Sequence, residues 1–134
     1  MTDSEVQVVA AAWVCVRDRR MLVVRSRDHE AFFLPGGTPE LGETLAQTAI
    51  REVAEEVGVV LEPESLRPLI EVVAPAYGKP GNVRLVCFTA RSDEAPQAAA
   101  EISEVAWFTT ADRERCAPAL RPVLSLLSER GAID

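Results

Sequence analysis

The segment from Thr44 to Val57 constrains the fold more than any other part of the chain. It contains neither glycine nor proline, and its apolar side chains recur at helical spacing. Leu45, Ala49, Val53 and Val57 stand four residues apart, and Ala46 and Ile50 widen the stripe. Gly58 follows directly, a residue suited to a left-handed helix terminus. The same segment carries Glu52, Glu55 and Glu56 at i, i+3 and i+4, positions that share one face of a helix. Such a helix needs an apolar surface for its stripe and something to relieve three converging carboxylates. A divalent cation would do the second. Hard ions such as Mg2+ and Mn2+ prefer carboxylate oxygens and keep waters that a phosphate can replace.

The flanking sequence alternates strand and turn signals. Residues 6–16 are rich in valine and alanine and read as a buried strand. Arg17-Asp18-Arg19-Arg20 is a turn candidate, and Met21 to Val24 resumes as a second strand, so the two predict a hairpin. Phe32-Phe33-Leu34 is a short apolar run stopped by Pro35-Gly36-Gly37. After the helix, Leu69 to Val73 and Val83 to Ala90 read as strands separated by the turn-rich Pro75 to Asn82. Residues 92–100 form a polar loop rich in alanine and proline, and Val105 to Phe108 is a short strand. Pro118 to Arg130 predicts a closing amphipathic helix with Leu120, Val123, Leu124 and Leu127 inward. The order β-β-β-α-β-β-β-α points to a layered α/β sandwich rather than a doubly wound parallel sheet. No repeat or linker divides the chain, which reads as one domain over residues 1–134.

Bulk properties narrow the partners. With 48% apolar residues, the 134-residue chain can build a core. A formal net charge of -7 argues against gripping nucleic-acid polymers, although bound metal can reverse the sign locally for a small phosphorylated substrate. The first apolar run, Val8 to Val16, follows Asp3 and Glu5 rather than a basic segment. It also falls short of the ~20 residues that cross a bilayer. Cys15, Cys87 and Cys116 are widely spaced and odd in number, forming neither a zinc pattern nor a disulfide framework. A cytosolic, reduced protein without a membrane partner is the expectation.

The stretch GTPELGETLAQTAIREVAEEVGV, Gly37 to Val59, resembles the signature box of the Nudix hydrolases at every specified position: Gly37, Glu43, Arg51, Glu52, Val53, Glu55, Glu56, Gly58 and Val59. The resemblance implies the Nudix-type α/β/α sandwich with a mixed central sheet. It also implies hydrolysis of a nucleoside diphosphate linked to another group, with Mg2+ or Mn2+. By this resemblance Glu52, Glu55 and Glu56 hold the metal, with the Gly37 carbonyl as a further ligand. Arg51 orients a carboxylate, and Glu43 supports the site from the helix start, where a carboxylate also suits the helix dipole. Glu55 or Glu56 is the general base. Many relatives add a glutamate before a late strand. Glu101 resembles that position, and Glu104 is its rival.

Substrate choice falls outside the box. Arg25, Arg27, Lys79 and Arg84 can meet phosphates or serve as salt-bridge partners. His29, the single histidine, lies in a loop. Trp13, Phe32 and Tyr77 can stack on a base, although Trp13 sits in an apolar strand and reads as core. Residues 74–82 can cover the site or form a plain hairpin connection. The small size favours a nucleoside triphosphate or its damaged form. Other readings are a Nudix-fold sensor that binds a nucleotide-like ligand without cleaving it and, given the family's frequent homodimers, a dimer whose acidic helix is only a surface.

Overall fold

The computed structural model describes residues 6–134. Asp3 and Glu5, on which the reading of the amino-terminal flank rests, lie outside them. The elements are β1 (Val6–Trp13), β2 (Val16–Arg17), β3 (Arg20–Ser26), β4 (Gly36–Gly37), α1 (Leu45–Val57), β5 (Arg67–Pro75), β6 (Asn82–Thr89), β7 (Ile102–Phe108) and α2 (Arg121–Glu129). They form two sheets. One is mixed, in the order β4-β1-β6-β5, with β1 parallel to β6 and the other pairs antiparallel. The other is antiparallel, in the order β2-β3-β7.

Strand alternation sorts the side chains into two cores. Ala11, Trp13, Leu22, Val24, Val86 and Phe88 face the layer of α1, where Ala49, Val53 and Val57 are fully buried. Their neighbours Ala12, Val14, Met21, Val23 and Cys87 face the opposite way, against Val123, Leu124 and Leu127 of α2. This is the α/β/α sandwich expected from the sequence. The three cysteines are free and buried, as small core residues would be. Among the described residues no helix is long and apolar enough to cross a membrane.

Two local expectations are corrected. Residues 6–16 are not one strand hairpinned to β3. The chain changes sheets at Val14 and Cys15: Val14 donates its amide to Phe88 on β6, whereas the Cys15 carbonyl accepts from Leu22 on β3. The hairpin is confined to β2 and β3, closed by Asp18 and Arg19 at φ 52° and 61°. Successive positive φ values match the twist of a two-residue hairpin, which glycine and asparagine usually supply.

The second correction concerns the glycines. Gly36 and Gly37 do not simply break the chain; they form β4, paired with Ala12 and Ala11. A Cβ on Gly36 would collide with the backbone of Ala11 and Ala12, and one on Gly37 would collide with the Glu52 carboxylate. The missing side chains let β1 and α1 approach this segment from two sides. Phe32 and Phe33, read as a strand, make only isolated bridges to Cys116 and Val24.

Because the atoms opposing Gly36 are backbone and cannot swing aside, Gly36→Ala should destabilise the protein by about 1–3 kcal/mol. Urea unfolding measures it, and an unchanged midpoint would show that β1 and β4 are not packed this tightly.

Candidate active site

Helix α1 is fixed at both ends. The Thr44 side chain accepts from the Gln47 amide while the Gln47 side chain accepts from the Thr44 amide, a reciprocal capping box. At the other end Gly58 adopts φ 70° and donates to the Ala54 carbonyl. Glu43, expected to complement the helix start, leaves capping to Thr44. Its carboxylate accepts instead from the Glu40 amide, the Thr48 hydroxyl and Arg51.

Arg51 organises the acidic face. Its Nε lies 2.6 Å and its Nη2 3.0 Å from the two oxygens of Glu43, a two-pronged pairing. The Thr38 carbonyl also accepts from Nη2. Its Nη1 reaches Glu52 at 3.2 Å and Glu55 at 3.4 Å. Hydrogen bonding from Arg51 holds Glu43 down at about 2. Burial raises Glu52 against the opposing pull of Arg51.

Glu56 differs from the others. It is 7% exposed, and its Oε1 accepts from the Gly36 amide at 3.1 Å. No arginine or lysine among the described residues pairs with it. Burial pushes its carboxyl up to about 8, opposed by the Gly36 hydrogen bond and reinforced by Glu52, Glu101 and Glu55.

The loop before β7 brings in a further carboxylate. Gln97 and Ala99 donate their amides to the carbonyls of Val57 and Glu56, both at 2.9 Å. Ala100 then turns through φ 53°, and Glu101 follows at the mouth of the site. Its charge is felt by both Glu52 and Glu56. Glu104, the rival position, instead accepts from Arg25 at 3.1 and 3.2 Å.

Gly36, Gly37, Glu56 and Glu101 line one cavity of about 760 Å3. His29 and Tyr77 line it too, as does Lys79, the last two from the β5–β6 loop. Two expected substrate residues are engaged elsewhere. Arg25 pairs with Glu104 outside this cavity, and Arg84 pairs with Glu71 at 2.8 Å on the β5–β6 face. Trp13 is core, 1% exposed, and its Nε1 is buried without a hydrogen-bond partner. Phe32 is also core, stacked near Phe108. Phe33, not singled out from the sequence, lines the cavity instead. The signal was present in strand alternation: Phe32 and Leu34 point into the core, so the residue between them points out.

The donors fit a hard divalent cation. They are all oxygen, and the buried Glu56 carboxylate lacks a countercharge. Among the described residues no three acidic, histidine or cysteine side chains already form a finished cage. Glu52 and Glu55 are drawn toward Arg51 rather than toward Glu56.

Comparison with known proteins agrees with this arrangement. The NUDIX domain family model matches residues 6–127. A MutT-like protein of Streptomyces ambofaciens is 33% identical over 109 residues, spanning 81% of this chain and 68% of that protein. An ADP-ribose pyrophosphatase of Methanocaldococcus jannaschii is 33% identical over 61 residues, 43% of this chain and only 36% of the enzyme's length. Among solved structures, the NUDIX domain of Shewanella oneidensis NrtR complexed with ADP ribose superposes with a TM-score of 0.70. It shares 27% identity over 94% of this chain and 89% of that one. Given the matched family model, the sandwich fold and the acidic helix against its glycine strand, the chain belongs to the NUDIX family and is a Nudix pyrophosphohydrolase.

Proposed function

We propose that this protein hydrolyses the pyrophosphate bond of a nucleoside diphosphate linked to a second moiety, using Mg2+ or Mn2+. One observation carries the reading: Glu56 is buried without a countercharge on a cavity of nucleotide-binding size that Glu101 also lines. The names of two relatives, an ADP-ribose pyrophosphatase and a domain complexed with ADP ribose, make ADP-ribose the first substrate to try. A nucleoside triphosphate comes second.

Glu52, Glu55, Glu56 and Glu101 would hold the cation, with the Gly37 carbonyl as a further donor. When bound, a divalent cation supplies positive charge against the phosphate oxygens and acidifies a water. The protein's own groups do the rest. Arg51 offsets the charge of Glu52 and Glu55 and ties α1 to Glu43. Gly36 orients Glu56 through its amide. Two carboxylates are candidates for accepting the proton of the attacking water. Burial favours the protonated form of Glu56, so it can accept a proton only once the cation has displaced its own, and Glu55 is the more exposed of the pair.

The test is product release from ADP-ribose and a wider nucleotide panel with Mg2+, Mn2+ or chelator. Glu55→Gln and Glu56→Gln should each lower kcat by at least ~100-fold while the protein stays folded. Near-normal turnover in both would sink the mechanism.

A second prediction needs no substrate. The folded protein holds the Glu56 proton more tightly than the unfolded chain does, because the carboxyl rises from 4.5 to about 8. Its contribution to stability is therefore complete below pH 4.5 and lost as pH climbs through about 8. Glu43 acts in a separate window: lowered to about 2, it stabilises above 4.5 and loses that effect as pH falls toward 2. With chelator present, Tm should fall between pH 5 and pH 8.5, and Glu56→Gln should flatten the fall. Added Mg2+ should raise Tm more at the alkaline end, where the cation no longer competes with the proton. A wild-type profile as flat as that of the variant would count against the assignment.

A further inference from the structure

Strand β7 does not keep a strict alternation. Arg25 pairs with Glu104 and Ser26 with Ile102, so Ser103 is an extra residue, a β-bulge. The reset shows in the packing. Val105 and Ile102 stand three residues apart, yet both pack in the core under α1. An unbulged strand would put Ser103 and Glu101 on the face of Val105. With the bulge, Ile102 is buried there and Glu101 is left to line the cavity. Ser103 fixes the bulge with its own side chain: its hydroxyl donates to the Arg25 carbonyl at 3.1 Å.

The turn just before the bulge is held as well. The Ile102 amide donates to the Ala99 carbonyl at 3.0 Å, closing a four-residue turn in which Ala100 takes φ 53°. That conformation is unfavourable for alanine and persists where neighbouring bonds impose it. Arg27 supplies two of them. Its amide donates to the Glu101 carbonyl at 3.3 Å, and its Nη2 donates to the Ala100 carbonyl at 3.4 Å. The sequence leaves Arg27 open between a phosphate contact and a salt-bridge partner. In the fold it does not line the cavity, and no carboxylate among the described residues pairs with it. What it grips is the turn that carries Glu101.

We propose that Arg27 and Ser103 are positioning residues for Glu101, holding the turn and the bulge that bring its carboxylate within electrostatic reach of Glu52 and Glu56. The proposal rests on the reading of Glu101 as a group that holds the cation. Carboxylates gathered at one place repel one another, and an exposed one left free would move away. A cation is bound well only where its ligands are already fixed, so groups that fix a ligand act on affinity without touching the ion.

Mn2+ binding without substrate tests this, followed by the electron paramagnetic resonance of the free ion. Arg27→Ala and Ser103→Ala should each weaken Mn2+ binding by about 10-fold. Arg27→Lys, which keeps a donor for one carbonyl, should retain most of the affinity. In a Glu101→Gln background, itself weakened, neither alanine substitution should weaken binding further, because both act through the same carboxylate. Far-ultraviolet circular dichroism verifies that the variants fold. Wild-type Mn2+ affinity in the folded alanine variants, or an equal loss with Glu101 already removed, would overturn the positioning role. If Glu56→Gln and Glu101→Gln still lose Mn2+ in that case, the reading of the site stands without it. A wild-type protein that binds no Mn2+ would overturn both.

Discussion

The helical period of α1 sets Glu56 beside Val53 and Val57, and the packing that buries the two valines buries the glutamate with them. All three sit on the inward side, and Glu56 ends up 7% exposed. An unpaired carboxylate in such a place costs several kcal/mol unless it is neutralised. Arg51, the cation on the same helix, is not available for it, being held in a two-pronged contact by Glu43 and shared with Glu52 and Glu55. A proton or a metal ion must fill that role. Affinity for a cation and the packing of the helix are thus two aspects of one unresolved charge.

Around that charge, the frame is built to bring backbone where side chains would obstruct. Gly36 and Gly37 lie between β1 and Glu52, and the Gly36 amide is the one donor to the Glu56 side chain among the described residues. The cavity opens where the two sheets meet, walled by residues of β1 and β4 from one and by the end of β3 and the start of β7 from the other. The sheet change at Val14 and Cys15 creates that seam.

Much of this was legible in the sequence, and the exceptions share a cause. The α1 stripe, its Gly58 stop and the spacing of Glu52, Glu55 and Glu56 depend on neighbours within a turn or two, so periodicity reveals them, whereas the Thr44–Gln47 capping box went unread in favour of Glu43. The two helices and the strand segments around β5, β6 and β7 followed from pattern alone. Pairing between distant segments did not. Nothing local in residues 6–16 says that β1 leaves β3 for β6, and nothing in Pro35-Gly36-Gly37 distinguishes a turn from an edge strand pressed against a helix. Whether Arg25 and Arg84 meet phosphates or salt-bridge partners stayed open in the sequence because their partners Glu104 and Glu71 are remote. Phe33 was missed for a different reason, the choice of its neighbour Phe32 from a run whose alternation separates them.

The irregular stretch between β6 and β7 has a consequence of its own. It is fastened to α1 and its surroundings mainly through main-chain atoms: the carbonyls of Ser92 and Glu94 accept from Arg17, and the amides of Gln97 and Ala99 donate to the helix end. Such a segment works as a ruler. What it transmits to Glu101 is a length, measured from the last turn of the helix, with the Glu94 carboxylate, which accepts from the Val60 amide at 2.7 Å, as a side-chain anchor. Point changes among its exposed alanines should pass almost unnoticed, whereas adding or removing one residue would move the last carboxylate out of reach of the others. Variation in this stretch is therefore better read by its length than by its letters.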